Sequence, residues 1–353
     1  MCAILQKEKI YDDTIKKIRP PKSWKNIENH YQNVINNPWY QKLVEVENLI
    51  TVNTVKFYEN KNIKTLHLPI TTGSISSPIG LGSDSSPVKV NLCNVDTYLA
   101  DSMQFMLEYG CRLFKNGCYY IMPSFRGESA DERHLCQFYH SEAEIPGTLE
   151  NVINLVEEYL KYLCSALLEE YADELKKVAG DTDHIEKLAN LSTKINRVTL
   201  DEAIKLLDNN PEYVETHEAG FRLLNKYGEQ ALMSKFDGIV WLTHFDTLSV
   251  PFYQAVDSRN SGKALNADLL FGIGEVVGSG ERHQNSDEVL RALKLHNVDS
   301  SEYEWYFNMK EKYPMKTSGF GLGVERFILW LFKHNDIRDC QIIPRFNGVN
   351  IVP

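Results

Sequence analysis

Near the end of the chain runs Gly319-Phe320-Gly321-Leu322-Gly323-Val324-Glu325-Arg326, followed after one helical run by Asn335-Asp336-Ile337-Arg338-Asp339 and Ile343-Pro344-Arg345. Glycines spaced this way let a backbone lie flat against a nucleotide, and an arginine opening a helix offers a planar cation to phosphates. Far upstream lies Phe125-Arg126-Gly127-Glu128-Ser129-Ala130-Asp131-Glu132-Arg133-His134-Leu135-Cys136-Gln137-Phe138-Tyr139-His140-Ser141-Glu142-Ala143-Glu144. Arg126 and Glu128 alternate as on one strand, a polar loop follows, and a second strand returns through Phe138 and Glu142. The pattern predicts a hairpin with a charged interior.

Together, in this order, the two stretches resemble motifs 2 and 3 of the class II aminoacyl-tRNA synthetases, in particular the asparaginyl and aspartyl branch. The resemblance covers roughly residues 40 to 353 and implies an α+β fold in which an antiparallel β-sheet of six or so strands is flanked by helices. Motif 1 of that family, a long helix leading into a strand that ends in proline, has its counterpart in Leu43 to Tyr58 and Ile63 to Leu68 before Pro69. Apolar residues at Leu43, Val46, Leu49, Ile50 and Phe57 fit a helix, while Asn53 and the β-branched Val44, Val52 and Val55 compete with it. In the family this element forms the interface of a homodimer.

The resemblance also implies a set of roles. Activating a carboxylate with ATP requires holding a triphosphate, neutralising it and presenting the acid in line with the α-phosphorus. Arg126 would bridge the α-phosphate and the reacting carboxylate. Phe138 would stack under the adenine, with Arg326 over its other face or on the γ-phosphate. Arg133 and His134 would reach the outer phosphates, with Glu128 and Gly323 also lining the ATP site. A third cluster, Asp268-Leu269-Leu270-Phe271-Gly272-Ile273-Gly274-Glu275-Val276-Val277-Gly278-Ser279-Gly280-Glu281-Arg282, supplies Asp268 and Glu275 as hard-oxygen ligands for Mg²⁺ and Arg282 as the residue that reads the substrate side chain, beside Gly278. Ser102, Gln104 and Glu142 complete the substrate pocket. Here the chain departs from the family: Leu107 stands where the aspartyl enzymes have a lysine, Ser76-Ser77-Pro78 where a loop glutamate is usual, and Gln137 where a glutamate precedes the motif 2 phenylalanine.

Composition narrows the class. The chain has 353 residues, 43% of them hydrophobic and 24% charged, as in ordinary globular proteins. No apolar run approaches the roughly 20 residues needed to span a bilayer. Met1 to Lys9 include Lys7, Glu8 and Lys9 with no apolar core after them, so no secretory signal and a cytoplasmic protein are expected. The seven cysteines lack any C-x-x-C pair and read as free thiols. A net charge of −10 argues against broad nucleic-acid binding.

Residues 70 to 90, rich in Ser, Gly and Pro, read as a mobile loop, residues 147 to 230 as largely helical with an acidic solvated face, and 238 to 242, 252 to 256 and 267 to 277 as strands. The expected division is an N-terminal helical extension, 1–42, and a catalytic domain, 43–353. Full aspartyl and asparaginyl enzymes carry an N-terminal anticodon-reading barrel for which this reading leaves no room. The expectation is therefore an asparagine-synthetase-like ligase that adenylates an aspartate- or asparagine-like carboxylic acid and passes it to ammonia or another amine, with ATP and Mg²⁺, no nucleic acid and no membrane. The alternatives are a paralogue that acylates RNA and a non-catalytic sensor of amino acid or nucleotide.

Overall fold

The computed structural model describes residues 17–78 and 86–352. Helix α1, Pro38–Asn60, starts where Asn37 accepts a hydrogen bond from the Trp39 amide at 2.9 Å and proline occupies the first turn. Helical spacing wins over β-branching because the three valines that argued for a strand, Val44, Val52 and Val55, face outward while Leu43, Val46, Ile50 and Phe57 are buried. Asn53 interrupts the stripe at little cost: its amide donates to Leu49 O and to Glu170. The helix runs unbroken across residues 42 and 43, and Trp24 and Trp39 ahead of that point both donate to Asp339, to its side chain and its carbonyl respectively.

Numbered in chain order, the strands of the main sheet are β1 Lys64–Thr65, β2 Cys118–Phe125, β3 Gln137–Pro146, β4 Arg197–Thr199, β5 Ile239–Thr243, β6 Asn266–Phe271, β7 Gly274–Glu281 and β8 Thr317–Gly323. Their order is β1-β2-β3-β8-β7-β6-β5-β4. The six central strands are antiparallel, as expected, and each edge adds one short parallel strand. The long helix α2, Leu149–Ala179, and helix α3, Val324–Leu331, pack with α1 against one face of the sheet, where Ala143, Phe320 and Leu322 are buried among Val152, Tyr159 and Phe327.

The other face carries the polar side chains. Along β3, Phe138, His140, Glu142 and Glu144 share one side by the period of two. Opposite them on β8 stand Gly323, Gly321 and Gly319, in register with His140, Glu142 and Glu144. A Cβ at Gly319 would overlap the Glu144 carboxylate, and one at Gly321 would sit 3.0 Å from Glu142. At those two positions the glycines make room for carboxylates from the neighbouring strand.

Three sequence expectations fail locally. The stretch 147–230 is helical only in part: after residue 189 it contains β4 and the strand pair Val214–Thr216 with Arg222–Leu224, pieces too short for periodicity to reveal. Phe252 and Tyr253 form a turn buried in an aromatic cluster with Phe105 and Tyr303, Gln254 makes an isolated bridge to Arg282, and only Val256 belongs to a strand, the short Val256–Asp257, so most of this apolarity reflects packing. Residues 267 to 277 divide into β6 and β7, turned by Gly272 and Gly274 at positive φ. The expected mobile loop 70–90 falls partly on residues 79–85, which lie outside the described residues.

Candidate active site

Two cavities open on the polar face of the sheet. The first, of about 400 Å³, is bounded by the β2–β3 hairpin, the β6–β7 hairpin and the start of α3. It gathers Arg126, Glu128, Arg133, His134, Phe138, Glu275, Gly323 and Arg326, which is every residue the sequence assigned to ATP. One local expectation is corrected: β2 ends at Phe125, so Arg126 and Glu128 do not alternate on a strand. Arg126 N still donates to Cys136 O, but Gly127 N donates to Ser86 O and Ser86 N donates to the Glu128 carboxylate at 2.8 Å, which draws the chain away from the hairpin partner.

Many charges in this cavity keep open hydrogen-bonding positions. The Arg126 guanidinium lies 5.5 Å over the Phe138 ring, and its Nε, the Arg133 Nε and the Glu128 Oε2 are buried without a hydrogen-bond partner among the described residues. Arg133 pairs with Glu229 at 2.9 Å, and Arg326 donates to Glu275 O at 2.6 Å with the Glu275 carboxylate 3.6 Å away. His134 meets Asp131 at 2.9 Å. Partial desolvation and the Arg326 charge lower its pKa below the ordinary value in spite of that carboxylate, so it is neutral at pH 7.

Asp268 and Glu275 form the floor between the cavities. A Cβ on Gly278 would lie 2.8 Å from the Glu275 Oε1 and 3.7 Å from the Asp268 Oδ1, so both carboxylates converge over the same glycine. Burial, then the Glu275 and Glu229 charges, push the Asp268 carboxyl well above its usual range. Two crowded hard-oxygen donors with an unfavourable charge suit a divalent cation that takes its other ligands from phosphate and water. No group of three or more metal-binding side chains occurs among the described residues, so the protein would supply only these two.

The second cavity, of about 230 Å³, shares Arg126, His140, Glu275 and Gly321 with the first. It contains all five residues expected to bind substrate: Ser102, Gln104, Glu142, Gly278 and Arg282. Glu142 accepts from Ser102 at 2.6 Å and from Tyr120, and His140 sits 3.0 Å away. Burial would raise its pKa, but the His140 charge and these hydrogen bonds outweigh burial and hold the carboxyl below its usual range. Arg282 is buried, its Nε and one terminal nitrogen facing Glu144 at 3.2–3.3 Å and the other donating to Gln254 at 2.9 Å. Asp101 pins the expected loop by accepting from Ser76 N, Ser76 Oγ and Ser77 N.

Gln137 and Leu107 are not where the sequence placed them. Gln137 lines a groove on the opposite face with Tyr139, away from both cavities. Leu107 is buried in an apolar cluster with Met103, Cys118 and Tyr120. The sequence reading missed His140, Glu144, Glu229 and Gln254. The first two were visible as the even members of Phe138, His140, Glu142, Glu144; the others lie on distant elements.

Comparison with known proteins follows the same lines. Residues 24–347 match the family of class II tRNA synthetases (D, K and N). The asparagine–tRNA ligase of Thermoplasma acidophilum is 32% identical over 272 residues, covering 74% of this chain and 60% of that protein; that of Pyrococcus abyssi is 31% identical over 252 residues, covering 70% and 56%. The chain thus spans less than two thirds of the length of these relatives. Among solved structures, the asparaginyl-tRNA synthetase of Pyrococcus horikoshii complexed with asparaginyl-adenylate shares the fold, with a TM-score of 0.81 and 24% identity over 91% of this chain and 72% of that one. These relatives correct two expectations. The tRNA-independent amide ligase is overturned because the relatives are tRNA ligases, and the absence of a nucleic-acid partner falls with it. Net charge, on which that second expectation leaned, says little about a local binding face.

Proposed function

The chain belongs to the class II tRNA synthetases of the aspartate, lysine and asparagine group, and from that premise we propose that it activates asparagine with ATP and transfers it to tRNA. The observation that carries the proposal is the junction of the two cavities: Arg126 and Glu275 belong to both, so a carboxylate in the smaller cavity and a phosphate in the larger one meet at the same guanidinium. The relatives named above support the choice of amino acid and acceptor.

The ammonium of the amino acid would pair with Glu142, which stays ionised at neutral pH, and its carboxylate with Arg126. At the far end of the smaller cavity stand Arg282 and Gln254, with Glu144 buried behind Arg282 and paired to it. An amide presents one acceptor and one donor group and fits Arg282 and Gln254, whereas an aspartate carboxylate would meet an Arg282 whose charge is already paired with Glu144. The nucleotide would lie between Phe138 and Arg326, its phosphates reached by Arg126, Arg133 and His134. Attack of the carboxylate oxygen on the α-phosphorus forms the new P–O bond as pyrophosphate leaves. Mg²⁺ held by Asp268 and Glu275 would neutralise phosphate charge. Arg126 lowers the barrier by matching the charge that gathers between the two reactants.

We further propose that residues 43–353 act as the catalytic domain and that the chain is a homodimer through α1, beside which Glu47, Ile50, Thr51 and Ile343 line a groove of about 620 Å³. No helix among the described residues is long and apolar enough to cross a membrane. The test is aminoacylation with total tRNA, ATP, Mg²⁺ and asparagine. The expected product is asparagine on tRNA, released by mild alkali as an ester. An asparagine-derived amide formed with ammonia and no RNA would defeat the proposal.

A further inference from the structure

Behind Arg282 lies a second ion pair that no part of the proposed reaction uses. Lys310, on the helix Glu304–Lys312, and Glu108, on the helix Gln104–Cys111, are both fully buried and hydrogen-bonded to one another. Glu108 also accepts from the Tyr306 hydroxyl at 2.5 Å, and Lys310 donates to His283 O at 2.6 Å, one residue from Arg282. Gln104, on the same helix as Glu108, donates to Glu144 at 3.2 Å. Burial, with Glu108 adding to it, raises the Glu144 pKa to about 7, and Glu144, Tyr253 and Glu108 together outweigh burial in raising that of Arg282, so the Glu108 charge reaches the substrate end of the cavity. Four fully buried charges, two cations and two carboxylates, thus sit together: Arg282, Lys310, Glu144 and Glu108.

Burying an unbalanced charge is costly, and a buried pair with good geometry is seldom more stable than an apolar substitute. Stability alone therefore gives Lys310 and Glu108 little reason to be there. Their placement does have a consequence for selectivity. In a site of low effective dielectric, one uncompensated charge near the substrate side chain decides whether a carboxylate or a neutral group is preferred. The sequence suggested that the cation of the aspartyl enzymes had been lost at Leu107. The structure instead brings Lys310 from another helix to Glu108, the residue after Leu107, and that carboxylate cancels its charge.

Resting on the asparagine reading above, we infer that Lys310 and Glu108 are positioning residues that keep the far wall of the pocket electrically neutral, so that Arg282 and Glu144 select an amide over a carboxylate. Neither touches the substrate; both act through the Arg282–Glu144 pair. The consequence is a sign rule. Removing the carboxylate leaves one excess positive charge and favours aspartate, and removing both partners restores neutrality.

The experiment is pyrophosphate exchange with asparagine and with aspartate in the full-length chain. Glu108→Gln should raise the aspartate-to-asparagine ratio of kcat/KM by about tenfold, the scale of one added charge at this separation. Adding Lys310→Met to it should bring the ratio back to within about threefold of the parent, with the KM for ATP unmoved throughout. Where Glu108→Gln does not fold, Lys310→Met alone, which leaves one excess negative charge, should lower the aspartate-to-asparagine ratio by about tenfold and Lys310→Arg should restore it. A ratio unmoved by Glu108→Gln, no reversal in the double variant, or a Lys310→Arg variant no better than Lys310→Met assigns the pair to packing and overturns the inference. A parent inactive with both amino acids overturns the asparagine reading and this inference with it.

Discussion

The two ends of the site are built differently. At the end proposed for the nucleotide, Arg126, Arg133 and Glu128 each keep a buried polar atom without a partner among the described residues, and Asp268 and Glu275 crowd each other. At the amino-acid end Glu142 is held by Ser102, Tyr120 and His140, and Arg282 by Glu144 and Gln254. A triphosphate brings several charges of its own and can complete an unfinished cluster. A small amino acid brings few, and discriminating it depends on groups whose positions are fixed beforehand. On the proposed reading, one end would be finished by its ligand and the other is finished without it.

The largest effect should come where the two ends join. Arg126→Ala is expected to lower pyrophosphate exchange by at least about two orders of magnitude, the scale of losing one charge-stabilising donor. Loss confined to the KM of one substrate would mean that Arg126 serves only one cavity. Next, Arg282→Leu should abolish use of asparagine while ATP binding, followed by fluorescence or calorimetry, stays within about twofold. An equal fall in ATP affinity would erase the distinction between the ends.

Glycines on β8 give a finer test. Gly319→Ala must displace Glu144 and should cost about 1–3 kcal/mol of stability, as overpacking typically does, along with asparagine binding. Gly323→Ala, whose added methyl would meet nothing nearer than 3.6 Å, should leave the melting temperature almost unchanged. Similar effects at both positions would show that the amino-acid end is no more tightly built than the nucleotide end.

The smallest effects concern pH. Glu142 has a folded pKa held below its ordinary 4.5, so its stabilising contribution is present above pH 4.5 and lost only as pH falls through the lower folded value; the KM for asparagine should be flat at this group from about pH 8 to about pH 5. Asp268 has the opposite sign. Its raised pKa favours the protonated fold, a contribution present at acid pH and lost as pH rises, and a cation must displace that proton. The rise in melting temperature caused by Mg²⁺ should therefore be larger at about pH 8 than at about pH 6, and Asp268→Asn should remove the difference.

How far the sequence could be read follows from the range of each interaction. The β2–β3 hairpin was legible because alternation with period two is local, and the resemblance of the two quoted motifs brought Arg126, Phe138, Glu142 and Arg326 into view together. Glu144 stood in the quoted run, yet its partner Arg282 is 138 residues away, so nothing local marked it as part of the side-chain pocket. Lys310 meets Glu108 across 202 residues, from a segment with no pattern of its own. Gln137 was misplaced for a related reason: its identity suggested a change in the site, while its odd position on β3 sends it to the other face. The family could be recognised from residues, but the reaction had to be corrected by the relatives, because net charge and the length of the chain carried the expectation of an RNA-free enzyme.

On the proposed function, the two cavities together activate asparagine. Pyrophosphate exchange measured side by side with asparagine and aspartate, in the absence of RNA, tests it directly. Exchange with asparagine and little or none with aspartate is the predicted result. Exchange with aspartate in preference, or ADP and phosphate as products in place of AMP and pyrophosphate, would contradict it.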